Sequence, residues 1–257
     1  MNRIKWIVVF IFPVVLFSAC QTSKSIQQAM LDIQSEPDYE LTTPVYSDSI
    51  YSTIYLNSID YSAMLPYTTV RKTGVRVIPL LFFNLIQNRY EVSLGGNSLT
   101  QPYYDFLMDA LLAECNRSSC FNLMESNNDV LPDSALTLEI KINNNKTTAK
   151  MIRNERLLFL PFIEDFSLDF SDWGINPPVS QLEISIRLVQ QEICLWEKAY
   201  AVQQNLSSKK QKIEEPLTAF RVCSDLLTES LSYSTKSVVE NICRDLHQLI
   251  LLKQSHY

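Results

Sequence analysis

Between residues 135 and 142 (ALTLEIKI) apolar and polar side chains alternate without a break: Leu136, Leu138, Ile140 and Ile142 share one face, Thr137, Glu139 and Lys141 the other. A period of two with one apolar face predicts a half-buried strand in an antiparallel sheet. Residues 181–189 (QLEISIRLV) repeat the pattern with Leu182, Ile184, Ile186 and Leu188 inward. Gln190, Gln191 and Glu192 then turn the chain, and residues 193–202 (ICLWEKAYAV) return as the second arm of a hairpin. Asn143, Asn144 and Asn145 read as a turn, with residues 147–152 as the strand that follows it. Upstream, residues 52–59, 68–72, 75–84 and 89–94 read as strands, and Gly95-Gly96 as a turn. Pro79 places the third of these at a sheet edge or a bulge.

Elsewhere the period lengthens to that of a helix. Tyr103, Phe106, Leu107, Ala110 and Leu111 fall at i, i+3, i+4, i+7 and i+8, with Thr100 as cap and Pro102 in the first turn. This helix ends near 114–117, and residues 120–124 follow as a short strand. Residues 217–231 and 234–252 are each amphipathic, the second with Val238, Val239, Ile242, Leu246, Leu249 and Ile250 as its stripe. Residues 232–235 are either a kink or a pause in that stripe. Hairpins combined with segregated helices predict an α+β fold: a mainly antiparallel sheet with one central and one long C-terminal helix packed on one face.

The N-terminus has a different pattern. Arg3 and Lys5 precede twelve almost wholly apolar residues (WIVVFIFPVVLF) and a small-residue site, Ser18-Ala19-Cys20. A basic head, a short apolar core and a small-residue cut site describe an export signal, too short for a comfortable membrane span. The residues FSAC resemble a bacterial lipobox. That resemblance implies diacylation of the Cys20 sulfur, cleavage before it and acylation of the new amino terminus; a plain signal peptide and an uncleaved anchor are the alternatives. The chain thus divides into a signal (1–19), a lipid-anchored tether (20–49) and a single α+β domain (50–257). The tether is polar and broken by Pro37 and Pro44, with residues 25–33 as a brief helix. A flexible segment of this length spans ~30 Å on average and up to ~100 Å stretched. No acidic residue follows Cys20 directly. By resemblance to lipoprotein sorting patterns this favours an outer-membrane lipoprotein facing the periplasm, with surface exposure as the alternative.

Composition adds exclusions. The 257 residues are 46% hydrophobic and 19% charged, which is globular rather than disordered, with formal charge −6. Without Arg3 and Lys5, 20 basic residues face 28 acidic ones, about −8. No dense Lys/Arg stripe is present, which argues against nucleic acid as partner. Four glycines are too few for a phosphate cradle, and no GxSxG, Walker or HExxH motif occurs. No cofactor is expected. The histidines, His247 and His256, lie at the C-terminal end, and no cysteine has zinc-type spacing, so no metal site is expected. Apart from Cys20 the cysteines are Cys115, Cys120, Cys194, Cys223 and Cys243. Cys115 and Cys120 flank a tight turn and are the candidate disulfide, against two separate small core residues; the other three form an odd set.

The most unusual stretch is 157–178 (LLFLPFIEDFSLDFSDWGINPP). Either it wraps the core as a long hairpin or crossover, or its apolar tip is exposed and docks on a membrane protein, lipid or sister subunit. On the second reading Phe166, Asp169, Phe170 and Trp173 are the partner contacts. The carboxylates Glu164, Asp165, Asp169 and Asp172 offer a glycosidase-like pair, but the run lacks the flanking strand-end pattern of a barrel enzyme, so the chain reads as a non-enzyme.

Residues 97–121 (NSLTQPYYDFLMDALLAECNRSSCF), the ALTLEIKI strand and the hairpin QLEISIRLVQQEICLWEKAYAV together resemble the auxiliary lipoproteins of envelope transport systems, over about residues 75–250. The resemblance rests on element order and pattern. It implies an antiparallel sheet with two helices on one face, and a non-catalytic partner of transporters that move lipid or other hydrophobic cargo. The long run at 157–178 and the long tether depart from that pattern. The expected partners are a membrane, through the lipid anchor, and a protein complex of the cell envelope. The alternative function is a surface lipoprotein that binds carbohydrate through aromatics such as Trp173 and Trp196.

Overall fold

The computed structural model describes residues 23–41, 52–79, 83–117, 121–126, 134–158, 169–206 and 211–254. The fold class is α+β, as the order of periodicities predicts. A short helix α1 (23–31) precedes strands β1 (Ser52–Asp60), β2 (Thr69–Pro79) and β3 (Phe83–Ser93); then come helix α2 (Tyr103–Cys115), β4 (Phe121–Glu125), β5 (Leu136–Leu158), β6 (Asp169–Ile175), β7 (Val179–Gln190), β8 (Ile193–Asn205), β9 (Gln211–Ile213) and helix α3 (Pro216–Gln254).

All nine strands join one sheet around β5. The first half of β5 pairs with β1 in parallel (Ile54 opposite Leu136) and with β7 antiparallel (Leu138 opposite Leu188). Its second half pairs with β3 (Tyr90 opposite Met151) and β6 (Trp173 opposite Arg153), both antiparallel. Outside these lie β4 beside β1, β8 beside β7, β2 beside β3 and β9 beside β6. The strand order is therefore β4-β1-β5-β7-β8 at one end and β2-β3-β5-β6-β9 at the other.

One expectation is overturned in β5. Asn143 to Asn145 do not turn the chain; residues 136–158 form one strand of 23 residues. The register against β7 shifts between Ile142 and Asn144, the mark of a bulge. Before it Leu138, Ile140 and Ile142 are buried; after it Asn145, Thr147, Ala149 and Met151 are. The extra residue switches the inward parity from even to odd. The alternation that ends at Ile142 therefore resumes out of phase, which in sequence has the signature of a turn.

The two helices cover the inner face. α2 buries the predicted stripe, Tyr103, Phe106, Leu107, Ala110 and Leu111, although Pro102 rather than Thr100 holds the N-cap position. α3 is one helix of 39 residues, about 58 Å long, lying over β7, β8, β5 and β6. The stripe pauses at 232–235 without a kink. Ser234 donates to the Ser230 carbonyl at 2.9 Å, and its oxygen lies 2.6 Å from Ser180, which in turn meets Thr147 at 2.9 Å. Thr235 bonds the Leu231 carbonyl, and the buried Tyr103 hydroxyl meets Thr235 at 2.9 Å. A seam of hydroxyls thus joins sheet, α2 and α3 where the apolar stripe is interrupted, and each member has a partner. Farther along α3, Lys198 (2.6 Å) and Tyr200 (2.5 Å) bond Asp245. Burial opposes ionisation of Asp245, but these two donors prevail and hold its carboxyl below the usual range.

The Cys115–Cys120 bridge expected from spacing is replaced by another. Cys115, on the last turn of α2, is bonded to Cys243 of α3, with Cα atoms 5.2 Å apart and 128 residues between them. Cys115 lies on the inner face of α2 with 0% exposure, so its thiol points at α3 and not along the chain toward the following turn. Cys120 lies outside the described residues. Cys223 is a buried free thiol whose pKa desolvation pushes up to about 12, which makes it inert; Cys194 is free and exposed.

The segment read as a tether is corrected for residues 23–41. Ile26 and Met30 of α1 are buried in the core. The Ser35 backbone N–H donates to Ser98, its carbonyl accepts from Thr100, and its hydroxyl donates to Asp225 at 2.8 Å. Asp38 N–H donates to Ser232, Tyr39 to Glu114, and Lys236 pairs with Glu40 at 3.5 Å. Residues 35–40 therefore run alongside α3. Polar side chains with breakers read as a linker, yet here buried apolar side chains and a row of backbone and side-chain hydrogen bonds fix the segment.

Two substitutions test this architecture. Cys115→Ala with Cys243→Ala opens a loop of more than a hundred residues and is expected to lower unfolding free energy by about 2–5 kcal/mol, read by denaturant titration. At the β7–β8 turn Gln191 and Glu192 hold positive φ of 51° and 66°. Two-residue hairpin turns need this geometry, and glycine supplies it without strain. Glu192→Gly is expected to raise stability by about 1 kcal/mol, roughly 2–4 °C in melting temperature.

Candidate partner-docking site

Beyond the reach of α2 and α3, strands β2, β3, the second half of β5 and β6 continue as a four-stranded ribbon. Its last rows place Phe83 opposite Leu158, and Leu157 opposite Asp169. Both hairpin connections of the ribbon, 80–82 and 159–168, therefore leave from one end. In sequence these connections and their flanks read PLLFF and LLFLPFIEDFSLD.

The site residues expected from the sequence separate here. Cys20 and Phe166 lie outside the described residues. Asp169 and Phe170 open β6 at the ribbon end, opposite Leu157 and Arg156. Trp173 is corrected: it is 2% exposed and cannot be a partner contact. Its ring meets Phe220 edge-on at 5.1 Å and Tyr90 at 6.2 Å, with the Arg153 guanidinium 5.7 Å above it. Three residues past Phe170 in an alternating strand, Trp173 faces inward under the start of α3, where its large apolar area is buried. The carbohydrate reading loses one of its two aromatics by the same fact, and Trp196 is itself partly buried against the core.

Signals missed in the sequence sit on the same ribbon. On the inner face Val75 and Val77 of β2 are 48% and 55% exposed, since α3 does not reach them. Next to them lies a polar cluster in which Arg153 pairs with Glu155 at 3.0 Å and Asn88 donates to Glu155 at 3.2 Å. Burial pushes the Lys72 amine below its ordinary pKa while Glu155 pulls it back up. On the outer face the buried Asp172 accepts from Asn154 at 2.6 Å and Arg156 at 3.2 Å, with Lys212 at 3.5 Å. Asp172 is thus bound into ion pairs rather than poised as half of a catalytic pair. Glu164 and Asp165 lie outside the described residues.

A cleft of about 340 Å³ opens elsewhere, between residues 35–40 and α3, lined by Glu36, Asp38, Glu40, Asp225, Glu229 and Lys236 among others. Its walls are mostly carboxylate. Among the described residues no group of three or more His, Cys, Asp or Glu side chains is arranged to hold a metal ion, and no helix is long and apolar enough to cross a membrane.

No family model matches the sequence, and no curated protein matches it. Among solved structures, protein XCC0632 from Xanthomonas campestris, described under the family model DUF330, is similar with a TM-score of 0.39 and 15% identity, over 86% of this chain and 98% of that one. A crystal structure described as that of an uncharacterized protein gives a TM-score of 0.34 at 10% identity, over 84% and 99% of the two chains.

The burial of Trp173 yields its own test. Trp173→Ala is expected to lower unfolding free energy by about 3–5 kcal/mol, as for other fully buried aromatics, while the milder Trp173→Phe leaves capture of any envelope partner unchanged. Loss of capture by a stably folded Trp173→Phe protein would return this side chain to the binding surface.

Proposed function

We propose that this chain is a non-catalytic, lipid-anchored periplasmic subunit of the outer membrane that docks onto an envelope transport or assembly complex. Cys20 is the acylated residue, and the ribbon end is the docking element. The observation that carries the reading is the packing of the N-terminal segment. α1 begins at residue 23 and is fixed to the core through Ile26 and Met30. Only two residues, Gln21 and Thr22, separate Cys20 from it, a reach of at most about 10 Å over the three peptide steps. An acylated Cys20 would therefore hold the body against the bilayer instead of on a long leash, with more than one acyl chain making the attachment durable.

Two further features support this reading. The buried Cys115–Cys243 disulfide suits an oxidising compartment such as the periplasm. The ribbon presents the exposed Val75 and Val77, as a surface awaiting a hydrophobic partner would.

Mass spectrometry of the protein extracted from native membranes is expected to find the mature amino terminus at Cys20 carrying acyl chains. A photo-reactive residue at Val77 is expected to cross-link an envelope protein, and one at the solvent-facing Arg221 of α3 is not. An intact leader or an unmodified Cys20 thiol refutes the anchor. Equal labelling from positions 77 and 221 refutes the docking element.

A further inference from the structure

The sequence has no dense Lys/Arg run, yet the register of the ribbon builds a basic face. On its outer side Arg71 stands in row with Glu91 and Lys150, and two residues further along Arg89 stands in row with Gly74, Ile152, Gly174 and Lys212. The next row is Arg76, Gln87, Asn154 and Asp172, and the one after it Ile78, Leu85, Arg156 and Phe170. With strands ~4.8 Å apart and ~7 Å between rows, six cations fall within about 20 by 20 Å. All six, Arg71, Arg76, Arg89, Lys150, Arg156 and Lys212, are exposed. Two carboxylates share the face: Glu91, paired with Arg71 at 3.4 Å, and the buried Asp172, paired with Arg156 and Lys212. Among the described residues Arg76, Arg89 and Lys150 have no ion-pair partner.

A face of net positive charge on a chain of charge −6 is fitted to something anionic. Its shape selects the class. The six exposed cations are spread over several strands and rows of the sheet, so they match a plane of separate negative charges better than one bound molecule. Toward the ribbon end this outer face turns apolar, at Ile78 and Leu85. Basic rows bordered by an apolar end suit the headgroup–acyl boundary of a bilayer, where cations meet phosphates and the apolar margin enters the interface. We propose that the outer face of the β2-β3-β5-β6 ribbon binds the surface of an anionic bilayer, as a membrane contact separate from Cys20.

The test uses the chain from Gln21 onward, which carries no acyl group and keeps every buried side chain of the described core, from Ile26 to Ile250. It is floated with vesicles of phosphatidylcholine alone or with a third phosphatidylglycerol. Recovery with the anionic vesicles only, weakening as salt rises from 0.05 to roughly 0.5 M, is the expected result, since salt screens exposed charges. Reversing Arg76, Arg89 and Lys150 together to Glu removes cations without orphaning either carboxylate. At about fivefold per charge, it should reduce partitioning roughly a hundredfold or more. Arg221→Glu with Arg244→Glu, both exposed on α3, should leave it unchanged. Equal recovery with both vesicle types, insensitivity of the parent chain to salt, or a well-folded triple variant that still floats overturns the proposal. Binding to polyglutamate without flotation also overturns it and gives the face to an acidic polypeptide. None of these outcomes depends on whether Cys20 is acylated.

Discussion

The structure depends on one strand being long enough to serve two half-sheets. β5 offers both its edges along 23 residues, and the other strands either pair with it or flank one that does. Its first half, flanked by β1 and β7, lies under the helices and forms the core. Its second half, flanked by β3 and β6, adds Ala149 and Met151 to that core and then carries the same hydrogen-bond ladders on past Trp173, where the helical cover ends. The bulge between Ile142 and Asn144 reconciles the halves, since without the parity switch Ala149 and Met151 would face solvent. A chain turned at Asn144 would have two small sheets and no rigid ribbon.

What could be read from the sequence followed from unbroken local periodicity. The α2 stripe, the β7–β8 hairpin, the first half of β5 and the two halves of α3 each carry their signal within a dozen residues. What could not be read required partners far away. Three asparagines signal a turn by composition, but Asn145 is buried in the sheet because β7 pairs across it. Cys115 and Cys120 are close in sequence, but the bond that forms is set by the crossing of α2 over α3, 128 residues on. Trp173 resembles its aromatic neighbours in composition, and only the register opposite Arg153 puts it beneath Phe220.

The N-terminal segment shows the same limit from the other side. Its composition is that of a linker, which is contradicted chiefly by two buried side chains, Ile26 and Met30, with Ala29, Ile33 and Tyr39 packed partly against the same core. Fixing those two positions lets the row of bonds from Ser35 to Glu40 form in sequence along α3, each at small entropic cost because its neighbour is already held. The consequence concerns distance: any group attached near residue 20 is tied to the body within a few residues, and its position limits how the body can lie relative to a surface.

The ribbon differs on its two sides, and the difference has a physical origin. Inside, α3 ends its cover near Trp173; there Glu155 pairs with Arg153 and accepts from Asn88, and Val75 and Val77 are left bare at the edge. Outside, no helix packs among the described residues, and side chains there were free to be charged. They come from three separate strands, β2, β3 and β5, and the short β9, with no two of the six adjacent in sequence, so no scan along the chain finds them. Sheet pairing collects them on one face with the nearest backbone positions roughly 8 Å apart, where mutual repulsion disfavours the cluster unless it is relieved. Glu91 and Asp172 relieve part of it. Arg76, Arg89 and Lys150 are left without such relief among the described residues, which is the state of a surface whose counter-charge comes from outside the chain.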